Sequence, residues 1–404
     1  MRKSILVLSI FYLLNINTTA QNGERDEALI AKAKELAGKF IIVDTHIDLP
    51  LRLRGKDIDI TKKSSEGEMD YLRAVEGGLD APFMTIYIPS RLEESEAADK
   101  YAEELISVVE ELIQKHPEKF SFAKTSSDIV ANFANKKISL PMGMENGSPI
   151  NGSIDKLEYY YDRGIRYVTL THAKANHISD SSYDENRKWN GLSPFGKLLI
   201  KEMNNIGMII DVSHVTDSAF YQVIALSKAP VIASHSSCRF FTPGYERNIS
   251  DEMILKLAKN GGVVHINFGS FFLNEGVKKR GEEYEEIVKK FLTENNLDRN
   301  SDSVRVFSKK YKEEHPIGYA DITEVVDHID HVVELVGINY VGLGSDFEGV
   351  GDALPTGLKD VSMYPNLIYE LLKRGYSEDD VEKICSLNFL RAWKEIEEYA
   401  KMKN

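Results

Sequence analysis

A (β/α)8 barrel of the TIM type is the fold that the sequence predicts, with a helical insertion after the seventh strand and a C-terminal helix. Three observations predict it. Short, β-rich apolar runs recur eight times along the 404 residues, amphipathic stretches of helical spacing lie between most of them, and no GxGxxG turn follows the first run. Near-continuous apolar strands alternating with helices are what a parallel sheet covered on its outer face requires. Eight such units favour a closed barrel over an open doubly wound sheet, whose nucleotide-binding turn is missing.

In order, the runs are Phe40–Val43, Phe83–Ile88, Ile138–Met142, Tyr167–Leu170, Met208–Val212, Val231–Ser234, Val263–Phe268 and Tyr340–Leu343. Helical spacing marks Ala97–Ile113, Phe195–Asn205, Asp217–Ala225, Met253–Lys259 and Ile322–Val336. The rhythm breaks at Asn274–Pro316, a charge-dense stretch that reads as a solvated helical insertion able to form part of a lid. Ser377–Lys401 regains helical periodicity and is expected to pack against the barrel.

Residues 1–20 stand apart from this pattern. Arg2 and Lys3 precede an apolar core from Ile5 to Leu14, and small polar residues lead to Ala20. That is the build of a secretory signal peptide, with residues 21–404 as a single domain. The apolar core is too short to span a membrane comfortably, no Cys lies near the cut, and the C-terminus is charged rather than greasy. The expectation is an exported, soluble protein, periplasmic or extracellular, with no membrane anchor. A formal net charge of −13, or −15 once Arg2 and Lys3 are removed, disfavours nucleic acid and anionic lipid as partners. Cys238 and Cys385 could form one bridge at most, and neither sits in a CxxC or thiol-protease pattern.

Residues able to bind metal recur at the carboxyl ends of the predicted strands. The first ends in His46 and Asp48, the third in Glu145, the fourth in His172, the fifth in His214, the sixth in His235 and the eighth in Asp346. His46 and Asp48, two apart on an extended segment, face the same side. Any one of these could be a helix cap or a satisfied buried histidine. A barrel gathers all its carboxyl ends at one mouth, however, so together they make a site. Neutral imidazoles with carboxylates favour zinc, and Glu145 could bridge two ions by giving one oxygen to each. A pair about 3.5–4 Å apart would turn a shared water into a nucleophile near neutral pH. The chemistry implied is hydrolysis. His116, His177, His265, His315, His328 and His331 read as ordinary, with His265 in the core or behind the site.

The ordered blocks Asp44–Pro50, Glu145–Gly147, Leu170–His172, Asp211–His214, Ser234–Ser237, Arg247–Asn248 and Asp327–His331 running into Gly342–Phe347 resemble the membrane dipeptidase, or renal dipeptidase, family of zinc peptidases. The resemblance runs from about Ile41 to Leu390. It implies two zinc ions and cleavage of dipeptides, including some with a D residue on the C-terminal side. His46 and Asp48 resemble the ligands of one zinc and His214 and His235 those of the other, bridged by Glu145. Asp346 resembles the carboxylate that holds the bridging hydroxide and passes its proton to the leaving amine. His172 resembles the group that polarises the scissile carbonyl, and Arg247 the clamp on the substrate carboxylate. The chain departs from the family after His172, where Ala173-Lys174-Ala175-Asn176 replaces the usual Cys-Asn and tryptophan, and at Thr45 and Ile47. These changes touch the substrate pocket rather than the metal residues. The alternative is a lactonase or cyclic amide hydrolase on the same scaffold; a non-enzymatic binding protein fits poorly with so many costly polar groups at one mouth. A homodimer is left open.

Overall fold

The computed structural model describes residues 26–93, 95 and 97–403; the expected signal peptide lies outside them. Eight parallel strands form one sheet: β1 Ile42–Ile47, β2 Leu79–Tyr87, β3 Met142–Glu145, β4 Ile165–Thr169, β5 Ile209–Asp211, β6 Val231–Ala233, β7 Val263–Ile266 and β8 Val341–Leu343. Each pairs with the next in sequence. The sheet closes where Ile47 bridges Phe347 in parallel and the Asp48 amide donates to the Phe347 carbonyl at 2.9 Å. Nearly every residue of these strands is buried, which is why they read as unbroken apolar runs instead of alternating ones.

The helices fall where the periodicity places them. Pro194–Ile206, Asp217–Leu226 and Asp251–Lys259 start at Ser193, Thr216 and Ser250, whose side chains accept from the first-turn amides, and Ile322–Val336 begins with the capping box Asp321/Glu324. Between β7 and β8 the insertion forms two helices, Glu275–Asn295 and Asp302–Glu314, with a small core of their own around Tyr284, Val288 and Val304. The C-terminal helix is Asn388–Lys401. Among the described residues no helix is long and apolar enough to cross a membrane.

The third predicted strand needs correction. Ile138–Leu140 pairs with Phe120–Phe122 in a separate two-stranded ribbon, and the barrel strand starts only after Pro141, at Met142. Strand one is also displaced relative to the prediction, since it runs through His46 rather than stopping before it.

Candidate active site

All the strand-end residues singled out in the sequence meet at the carboxyl mouth of the barrel. His46 lies in β1 and Asp48 just beyond it, and Glu145 is the last residue of β3. His172, His214, His235 and Asp346 follow within three residues of β4, β5, β6 and β8. The His46 Nε2 stands 3.6 Å from Asp48 Oδ2, 3.7 Å from Glu145 Oε2 and 4.0 Å from Asp346 Oδ1. On the other side, Glu145 Oε1 is 3.1 Å from His214 Nε2, 3.4 Å from His235 Nε2 and 3.8 Å from His172 Nε2. Glu145 therefore divides its two oxygens between two sets of nitrogen and oxygen donors.

Backbone conformation aims two of these groups. His214 and Asp346 hold φ of 69° and 64°, a left-handed region that costs a non-glycine residue on the order of 1 kcal/mol or more and persists only where surrounding structure enforces it. Asp211, at the end of β5, accepts from the Ser213 and Ser234 amides and from the Ser234 hydroxyl, tying the two turns together.

The imidazoles are oriented from behind. His46 Nδ1 is 2.9 Å from the Tyr167 hydroxyl, and His235 Nδ1 is 2.7 Å from Ser234 Oγ, which itself donates to Asp211. Each contact leaves Nε2 turned to the mouth, the arrangement that readies a histidine for a metal. The His46 Nε2 is buried with no hydrogen-bond partner, and the Nε2 atoms of His214 and His235 lie 2.9 Å from one another. A buried nitrogen without a partner is costly, and a cation among these donors would satisfy it.

Electrostatics agree with the geometry. Burial alone would lower the pKa of the His46 imidazole, yet the Tyr167 phenol and the carboxylates of Glu145 and Asp48 raise it well above its usual range. Positive charge is favoured there. His214 and His235 are held far below the usual range by burial and by Arg247 and neighbouring imidazoles, which disfavours their protonated forms, and an Arg247 guanidinium nitrogen stands 3.0 Å from His214 Nε2. Burial opposes ionisation of Glu145, but His172 and His46 win and keep it ionised. Burial and the neighbouring Asp48 and Glu145 carboxylates lift Asp346 to about 7, against the pull of His46.

Arg247 is buried beside the mouth. It donates to Ser236 Oγ at 2.9 Å and the His235 carbonyl at 2.8 Å, its guanidinium lies over Phe272, and its Nε has no partner. His265 is a core residue whose Nδ1 faces the Ala233 carbonyl, and Cys238 and Cys385 are both buried and unbridged.

Three residues at the mouth were not read from the sequence. Tyr167 reads as an ordinary strand aromatic, yet its ring crosses the lumen over Gly143, where a Cβ would fall 2.0 Å from its Cζ. The side-chain amide of Asn267, next after β7, donates to Asp346 Oδ2 at 2.8 Å. Gly349 passes so close to both carboxylates that a Cβ would sit 2.3 Å from Asp346 Oδ1 and from Asp48 Oδ2. The Phe268–Gly269 and Glu348–Gly349 steps after strands seven and eight were the available signals for turns hugging the mouth. The cavity, about 350 Å3, is walled by Leu51, Tyr87, Tyr183, Phe271, Phe272 and Val350.

Comparison with known proteins gives this mouth its context. The family model "Membrane dipeptidase (Peptidase family M19)" matches residues 30–404. A dipeptidase of Schizosaccharomyces pombe, itself uncharacterized, is 31% identical over 384 residues, covering 91% of this chain and 83% of that protein. Dipeptidase verJ of Clonostachys rogersoniana is 32% identical, covering 93% and 89% respectively. Among solved structures, the probable dipeptidase PvdM of Pseudomonas aeruginosa superposes with a TM-score of 0.80 at 28% identity, covering 93% of this chain and 100% of that one.

Proposed function

The chain belongs to the membrane dipeptidase family and is a metallo-dipeptidase; from that premise we propose that it hydrolyses dipeptides, L-L and also L-D, with two zinc ions at the barrel mouth. His46 and Asp48 would hold one ion and His214 and His235 the other, with Glu145 giving an oxygen to each. The split of the Glu145 carboxylate, Oε2 toward His46 and Oε1 toward His214 and His235, is the observation that carries this reading. Bound zinc would supply an acidified water near neutral pH and a positive charge for the scissile carbonyl oxygen.

The rest of the chemistry falls to side chains. Asp346, fixed through Oδ2 by Asn267, is free at Oδ1 to take a proton from the attacking water and hand it to the leaving amine. A carboxyl that titrates near neutrality suits both halves of that task. His172, whose pKa burial and Arg247 hold below its usual range against the pull of Glu145, can donate Nε2–H to the oxygen that becomes negative as the carbonyl is attacked. Arg247, buried beside the mouth and bonded to Ser236 and the His235 carbonyl, would pair with the terminal carboxylate of the substrate. The leader-like residues 1–20 support an exported destination.

Metal analysis by mass spectrometry, beside hydrolysis of L-L and L-D dipeptides, a lactone and a cyclic amide, tests the proposal. Wild type is expected to carry about two zinc ions and to cleave the dipeptides. Glu145→Ala is expected to lose both metal and turnover. An active, metal-replete Glu145→Ala protein contradicts the bridging role, and turnover of the lactone or cyclic amide alone favours the alternative substrate class.

A further inference from the structure

Phe271 lies just before the insertion, in the short helix Ser270–Leu273 that follows β7, and it is half-buried. Its side chain is shared by three cavities. One is the catalytic cavity of about 350 Å3; the second, about 610 Å3, lies under the insertion between Tyr245, Tyr284 and Lys312; the third, about 240 Å3, lies against Pro316 and Tyr319. The aromatic ring is thus a partition between the reacting groups and space already present in the fold.

What holds that ring is a glycine. Gly281 is buried in the interior of Glu275–Asn295, where glycine weakens a helix. A Cβ at Gly281 would lie 2.5 Å from Phe271 Cε1 and 3.1 Å from Cδ1. The bare backbone is the seat that lets the ring withdraw from the mouth as far as it does. Above the carboxylates and imidazoles, the wall that includes Phe271 is otherwise made of Leu51, Tyr87, Tyr183, Phe272 and Val350, which offer no charged partner. A charged substrate side chain there would lose water without gaining an ion pair.

We propose that Phe271, seated on Gly281, is the specificity-determining residue of this mouth and selects dipeptides with compact, uncharged side chains. The inference rests on the dipeptidase reading above. Truncating Phe271 opens the catalytic cavity into the larger one beneath the insertion, and adding a side chain at Gly281 drives the ring the other way, toward the substrate. Opposite changes in preference follow from one geometry.

Steady-state kinetics on zinc-loaded protein decide it, using Ala-Ala as the compact substrate and Ala-Phe and Phe-Ala as bulky ones. Discrimination by pocket shape is typically worth a factor of ten or more. In Phe271→Ala the ratio of kcat/KM for bulky over compact substrate is expected to rise about tenfold, through KM. In Gly281→Val the same ratio is expected to fall, and Phe271→Leu should lie between wild type and Phe271→Ala. An unchanged ratio in Phe271→Ala overturns the proposal, as does a loss shared equally by both substrate classes. Failure of wild type to cleave any dipeptide is a different result, and it removes the dipeptidase reading on which the proposal stands.

Discussion

The two ends of the barrel lumen are built on opposite terms. At the floor, Val43, Ala81, Phe83, Ile209 and Ile232 from the strands meet Phe389 and Trp393 of the C-terminal helix, with Phe83 packed 5.3 Å from Phe389 and 5.5 Å from Trp393 between ring centres. Packing there is close and apolar, with the unpartnered Nε1 of buried Trp393 as a polar exception. At the mouth, carboxylates and imidazoles are buried together, His214 and Asp346 sit in left-handed backbone, and His46 Nε2 has no protein partner. Apolar packing dominates one end, whereas buried charge and left-handed backbone concentrate at the other, which is the pattern of a stable scaffold carrying a strained site. Tyr167 belongs to both ends: its ring stacks 5.4 Å from Phe83 and its hydroxyl touches His46.

The contrast breaks most visibly at Trp393, which is fully buried. Trp393→Ala should lower the free energy of unfolding by about 3–5 kcal/mol, read by denaturant titration, while the folded fraction keeps its kcat. A variant of normal stability with lost turnover would erase the division of labour. At the mouth, Gly349→Ala pushes a methyl against two carboxylates already within 2.3 Å of its position. Turnover should fall by about 100-fold, equivalent to ~2.7 kcal/mol of barrier, with little change in thermal stability.

Tyr167→Phe sharpens the comparison because it removes only the link. The ring stays in the floor cluster, and His46 loses the oxygen that fixes its Nδ1. Loss of such an outer contact typically weakens metal affinity 10-fold or more, about 1.4 kcal/mol. Zinc titration against a competing chelator should show that shift with stability of the metal-free protein nearly unchanged.

How much of this was legible before folding follows the same division. Strand ends were readable because parallel strands buried on both faces leave unbroken apolar runs, and the polar residue that ends each run faces the mouth by topology alone. Thus His46, Glu145, His214 and Asp346 could be gathered from a sequence span of 300 positions. The third strand was misplaced because Ile138–Leu140 carries the same local pattern as a barrel strand, and Pro141, where ribbon and barrel separate, is a weak boundary mark. Tyr167, Asn267 and Gly349 escaped notice because their roles lie in contacts with His46, Asp346 and Asp48 across the lumen, which no local spacing encodes.

The smallest expected effect separates two carboxyls that both titrate near neutrality. Asp80, near the start of β2, accepts the Ile42 amide at 3.0 Å, and burial raises it from 3.8 to about 7 against that single hydrogen bond. Asp346 reaches about 7 at the mouth with the help of crowding by other carboxylates. Because the folded-state value at Asp80 lies above the unfolded one, folding takes up a proton between those limits. The stability this contributes is complete below about 3.8 and is lost as pH rises through about 7. Asp80→Asn keeps an oxygen for the Ile42 amide and carries no charge, so its melting temperature should exceed that of wild type by about 2–4 °C at pH 9 and match it at pH 4. Adding zinc should leave that difference intact, since Asp80 responds to burial at the far end of the lumen and not to charge at the mouth. If the difference vanished when metal was bound, the two ends would be electrostatically coupled and their apparent independence would fail.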